Sequence, residues 1–126
     1  MKKLIYLLLT VFIISSCTTT ALVIDENLGS AELFQKAQKA SNDKQYDTAI
    51  KYYEVFINKH SDDTQRLVEA EYEIAFINFK QGNLSKAKEL FTALLDRYSG
   101  EGIQVLPAWP MILSKKLLKE IDSKEK

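Results

Sequence analysis

Residues 37 to 61 recur in kind 38 positions further along the chain: Ala37, Tyr46, Ala49, Tyr53, Phe56 and Ser61 return as Ala75, Leu84, Ala87, Phe91, Leu94 and Ser99. The exits correspond as well, Asn58-Lys59-His60-Ser61 against Asp96-Arg97-Tyr98-Ser99, a polar residue, a base, a ring and a serine. A fixed period of this length marks a repeat architecture, in which each unit is too small to bury its apolar face alone and neighbouring units stack. The repeat therefore restricts the fold before any single element is considered.

The spacing within each copy is helical. Ser30 is the expected N-cap of a first helix, with Glu32 favoured in its first turn by the helix dipole. Leu33, Phe34, Ala37 and Ala40 form its apolar stripe. Ser41-Asn42-Asp43 interrupts the pattern, and a second helix buries Ala49, Ile50, Tyr53, Phe56 and Ile57, with Lys51, Glu54 and Asn58 opposite. Asp63 or Thr64 caps a third helix, over about residues 65–81. Its Ala70, Tyr72, Ile74, Ala75, Phe76, Ile77 and Phe79 leave little polar surface, so it is buried on several sides or offers one side to a partner. Gly82 stands where a left-handed C′ residue belongs, and Asn83 is placed to cap a fourth helix with Ala87, Leu90, Phe91, Leu94 and Leu95 inside. After Gly100-Glu101-Gly102 and the prolines at 107 and 110, a fifth helix carries Leu113, Leu117, Leu118 and Ile121 on one face. The expected fold is all-α: two helical hairpins and a C-terminal capping helix, an α-solenoid over residues 30–122, with residues 123–126 a solvated tail.

The first 29 residues read differently. Met1-Lys2-Lys3 is basic, Leu4 to Ile14 is apolar, and Ser15-Ser16 precede Cys17. The run falls short of the roughly 20 residues that span a bilayer, so residues 1–16 read as a secretory signal peptide. Cys17 is the single cysteine of the chain, which excludes an intrachain disulfide. Of the 17 basic and 17 acidic residues, removal of residues 1–16 takes Lys2 and Lys3 and no acid. No basic stripe remains to neutralise phosphates, so nothing favours a nucleic-acid partner. Residues 17–29 read as a tether, whose apolar Ala21-Leu22-Val23-Ile24 patch lies on a membrane or on the first helix.

Two resemblances follow from these residues. Ile14-Ser15-Ser16-Cys17 resembles the lipobox of bacterial lipoproteins, which implies cleavage before Cys17 and a covalent lipid on its side chain. The small residue mid-way along each first helix (Ala37, Ala75), the turn leading to Tyr46 or Leu84, the small residue at the helix crossing (Ala49, Ala87) and the ring four positions on (Tyr53, Phe91) resemble the tetratricopeptide repeat (TPR). Serine replaces that family's usual proline at the end of both copies, and the extra length over the common 34-residue unit falls in Asp62 to Gln65. Together the segments Tyr46-Asp47-Thr48-Ala49-Ile50-Lys51-Tyr52-Tyr53-Glu54 and Ala75-Phe76-Ile77-Asn78-Phe79-Lys80-Gln81-Gly82-Asn83-Leu84 resemble the BamD family, lipoproteins of the outer-membrane β-barrel assembly machinery. The resemblance implies a scaffold held by Cys17 in the outer membrane, on the periplasmic side, whose partner is the β-barrel assembly protein or its substrates. Thr18 after the cysteine carries no Asp-type retention signal for the inner membrane. That family has more repeats than the two read here, and its later repeats are those implicated in docking the barrel protein. A TPR adaptor of another envelope complex, in cell-wall or division machinery, and a self-associating structural lipoprotein are the alternatives.

In TPR units the first helix of each hairpin lines a concave face, which by register holds Phe34, Gln38, Asn42, Tyr72, Phe76, Phe79 and Lys80. Tyr72, Phe76 and Phe79 form an i, i+4, i+7 aromatic stripe. It either binds an extended or helical peptide segment, with Lys80 and Asn42 as polar contacts, or is buried by the fifth helix. Catalytic residues are not expected. His60 is the sole histidine and has no nucleophile to serve, Asp62 and Asp63 suit a helix start, and no phosphate loop or nucleophile elbow occurs. No metal site and no cofactor beyond the lipid on Cys17 are expected. Lys115, Lys116, Lys119 and Lys124 form a basic helix face open to solvent or to a weak contact with anionic lipid.

Overall fold

The computed structural model describes residues 23–25, 27–100 and 106–125; the signal-peptide and Cys17 assignments lie outside them. Five helices follow one another: α1 (Ser30–Asn42), α2 (Tyr46–Lys59), α3 (Thr64–Lys80), α4 (Leu84–Asp96) and α5 (Ala108–Lys124). A short 3₁₀ turn, Arg97–Ser99, extends α4. No strand occurs among the described residues. The principal packing pairs are α1 with α2, α3 with α4, α2 with α3, and α5 against α4 and α3. This is the expected pair of hairpins with a fifth helix closing the second.

Two apolar cores result. Leu33, Ala37 and Ala40 of α1, Ala49, Tyr53 and Phe56 of α2, and Ala70 and Ile77 of α3 form the first. Val68, Tyr72 and Ala75 of α3, Ala87, Phe91 and Leu94 of α4, Tyr98, and Leu117 and Ile121 of α5 form the second. Helix α3 supplies both, which explains why its sequence is apolar nearly all round: it is the wall between the hairpins. Ala37, Ala49, Ala75 and Ala87 are all fully buried, because small side chains at the crossings let the helix backbones come close.

The turns inside the hairpins repeat in backbone as well as in sequence. Lys44 (φ 60°) and Gly82 (φ 80°) occupy the left-handed region at corresponding positions. In both copies the following N–H reaches five residues back into the helix, Gln45 to the Ala40 carbonyl at 2.8 Å and Asn83 to that of Asn78 at 2.9 Å. This is a Schellman closure. A side chain at such a position costs roughly 1–2 kcal/mol. Gly82→Ala is therefore expected to lower stability by about 1 kcal/mol, and Lys44→Gly to raise it by a smaller amount. The opposite signs are read from paired denaturant titrations.

Four local expectations change. Gly29, not Ser30, is the N-cap of α1: its backbone is extended and its carbonyl accepts the Leu33 N–H at 3.0 Å. The Ser30 hydroxyl instead accepts from the Arg66 guanidinium at 2.9 Å, tying α1 to α3. Asp63 does cap α3, accepting the Arg66 N–H at 3.1 Å, whereas Asn83 occupies the N-cap of α4 without a side-chain bond. On α5 the buried face is Pro110, Ser114, Leu117 and Ile121, and Leu113 is turned outward. The Tyr98 hydroxyl donates to the Pro107 carbonyl at 2.7 Å, pinning the start of α5. Pro110 then enters the interior within the first turn, where its missing N–H is no loss. The inward rotation brings in Ser114, whose Oγ has no partner, in place of Leu113. The end of the tether lies on the helices, one of the two placements expected for its apolar patch: Ile24 and Leu28 pack against the first core. The stretch from Ser123 begins inside α5 and stays exposed through Glu125.

Candidate protein-binding face

The first helices of the two hairpins, α1 and α3, together with α5, present one side of the stack, where the aromatic stripe of α3 lies. Tyr72 is buried, while Phe76 and Phe79 are half-buried at the edge of the second core. Tyr72 stacks on Phe76 (centroids 5.9 Å apart, planes at 17°), and Phe76 on Phe79 (6.3 Å, 12°). The i, i+4, i+7 spacing on a rigid helix produces this ladder.

Helix α5 meets the two ends of the ladder. Trp109 meets Tyr72 edge-on at 5.0 Å, and the Lys124 ammonium sits 4.9 Å from the Phe79 ring centre. Between them Phe76 keeps part of its ring accessible. The Lys80 ammonium lies 4.9 Å from the Phe76 ring centre and 5.1 Å from that of Tyr46, and it donates to the Ser41 hydroxyl at 3.2 Å. Two rings and a hydroxyl thus hold a cation beside the open ring, an arrangement worth about 0.5–1 kcal/mol per ring at exposed sites.

The remaining residues of the expected face lie on α1. Phe34 packs edge-on against Tyr53 (5.3 Å) and Phe56 (4.9 Å), so it serves chiefly the first core. Gln38 and Asn42 are exposed and line a shallow depression with Glu32, Lys36, Lys39 and Asp43 on the solvent side of α1. The side chain that accepts from Lys80 is Ser41. Trp109 and Leu113, 38% and 37% exposed, extend the apolar surface from α5. Their i, i+4 spacing was visible in the sequence, but the assumed apolar face of α5 had put Leu113 inside. A cleft of about 530 Å³ also opens on the opposite side, between α2, α3 and α4, floored by Ile50, Ile57, Ile74 and Leu90.

Acidic groups border the aromatic ladder. Burial pushes the Glu73 carboxyl above its ordinary range; Lys80 opposes the shift and Glu69 adds to it. Burial, with Glu73 nearby, pushes the Tyr72 phenol up to about 12. The Tyr53 hydroxyl is buried without a partner, and burial raises its pKa, helped by Glu73 and Glu69. A carboxyl whose pKa is higher folded than unfolded favours the fold below the unfolded value of about 4.3 and loses that contribution as pH rises through the folded value. Glu73→Gln should therefore raise the melting temperature at neutral pH and leave it unchanged in acid below the unfolded pKa. Melting curves at the two pH values test this.

Chemically the face offers an open ring, an indole edge, a held ammonium and two carboxylates, which suits a peptide segment with an apolar anchor. Among the described residues no group of three or more His, Cys, Asp and Glu side chains could hold a metal ion, and no helix is long and apolar enough to cross a membrane. The family profile described as tetratricopeptide repeat matches residues 28–63 and 69–100. No curated protein and no solved structure matches the chain.

Proposed function

The chain belongs to the tetratricopeptide repeat family, whose repeats mediate protein–protein contacts, and from that premise we propose that it is a lipid-anchored scaffold of outer-membrane β-barrel assembly, similar to BamD. It works by binding and not by chemistry. Cys17 carries the lipid, which holds the helices on the periplasmic side of the outer membrane. The half-buried Phe76 ring with the held Lys80 ammonium is the observation that carries the binding reading, because a partly accessible ring supported by a packed core is a ready anchor point. Support for the envelope role comes from the lipobox-like residues before Cys17 and the two segments resembling the BamD family.

Affinity capture of the intact chain from detergent-solubilised membranes tests the role. Recovery of the β-barrel assembly protein in stoichiometric amount is expected. A cell-wall or division partner assigns the chain to another envelope complex, and self-association alone makes it a structural lipoprotein. The anchor has a separate readout: labelled palmitate is incorporated by the parent chain and not by Cys17→Ala. Labelling that persists in the variant removes Cys17 from the account.

A further inference from the structure

Helix α5 is the last of the described helices, and its outward side differs from the corresponding sides of α1 and α3. Ala70 and Ile77 of α3 face the preceding hairpin, and Pro110 and Leu117 do so on α5, each 40 positions later. In the same register Tyr72, Ala75 and Phe79, which pack into the second core against α4, correspond to Ile112, Lys115 and Lys119. The side of α5 that no described helix covers is thus a strip of Ala108, Ile112, Lys115, Lys116 and Lys119. Ile112 is 58% exposed, the most open large apolar side chain on the five helices.

Among the described residues none is a carboxylate partner of Lys115, Lys116 or Lys119. The acids of α5 are turned to its shoulders and already engaged: Glu120 with Lys124 at 2.8 Å, Asp122 with Lys88 at 2.6 Å and Glu125 with Lys88 at 2.9 Å. The strip is therefore positive over its length, in a chain whose 17 bases, these three included, only match its 17 acids.

We propose that this strip docks on an anionic phospholipid bilayer, with the three ammonium groups on lipid phosphates and Ile112 at the edge of the acyl region. A further protein helix fits less well. Packed helices approach to about 8–10 Å, and within this fold they do so over alanines at the crossings; Lys115 stands where α3 has Ala75. Long lysine stems can lie along a flat surface and extend their charges into headgroups. Each lysine near an anionic surface contributes about a fivefold factor in binding, and the three together on the order of a hundredfold.

The test is sedimentation of the full chain with vesicles of phosphatidylcholine alone, or of phosphatidylcholine and phosphatidylglycerol in equal parts. The parent is compared with Lys115→Gln/Lys116→Gln/Lys119→Gln and with a control of equal charge loss, Lys44→Gln/Lys51→Gln/Lys86→Gln. Circular dichroism checks that all three fold. The expected result is a preference for the anionic vesicles that weakens with salt, falls on the order of a hundredfold in the strip variant and largely survives in the control. Equal binding of the two vesicle types, equal losses in the two variants, or no binding overturns the proposal. It also falls if the strip variant alters the chain's own oligomeric state without vesicles, because a second copy then covers the strip.

Discussion

Phe91→Ala is expected to cost the domain about 3–5 kcal/mol, the range for truncating a fully buried aromatic ring. Phe91 has no exposed surface, meets the Tyr72 ring at 5.8 Å, and belongs to the core shared by α3, α4 and α5. Small domains have only about 5–15 kcal/mol in total, so the variant should be partly unfolded at physiological temperature. The loss should spread to α5, whose Leu117 and Ile121 share that core. Chemical denaturation followed by helix signal measures it, and a shift under 1 kcal/mol would show that the second core does not hold the stack together.

Phe76→Ala is the contrasting case. Its ring is half-buried, so truncation should cost roughly half of the 1.5–3 kcal/mol gained by burying a full side chain, and the domain stays folded. Partner capture should fall by about 30-fold or more, the scale of losing a central anchor. The Lys80 ammonium also loses one of the two rings that hold it. If Phe76→Ala unfolds the chain as Phe91→Ala does, the ring is core and the binding reading of this face is wrong.

How far the sequence foretold these features depended on the repeat. Two hairpins, the two-sided burial of α3 and the left-handed residue at Gly82 all follow from periodicity and turn chemistry. The matching strain at Lys44 was also implied, because it stands 38 positions before Gly82, but a lysine carries no local signal of positive φ. Where the repeat ended, prediction weakened. The face of α5 was assigned by counting leucines, and Pro110 together with the Tyr98–Pro107 hydrogen bond rotated it by contacts distant in sequence. That rotation put Leu113 outside and Ser114 inside. The aromatic stripe was readable; which of its rings stays open was not, because that depends on where Trp109 and Lys124 land.

Binding through the open middle of the ladder is the central claim, and the most direct test is one comparison. Parent and Phe76→Ala chains, equal in expression and helix content, are each captured from detergent-solubilised membranes, and the co-recovered β-barrel assembly protein is quantified. The account predicts stoichiometric recovery with the parent and a loss of most of it with the variant. Equal recovery with both chains would contradict it.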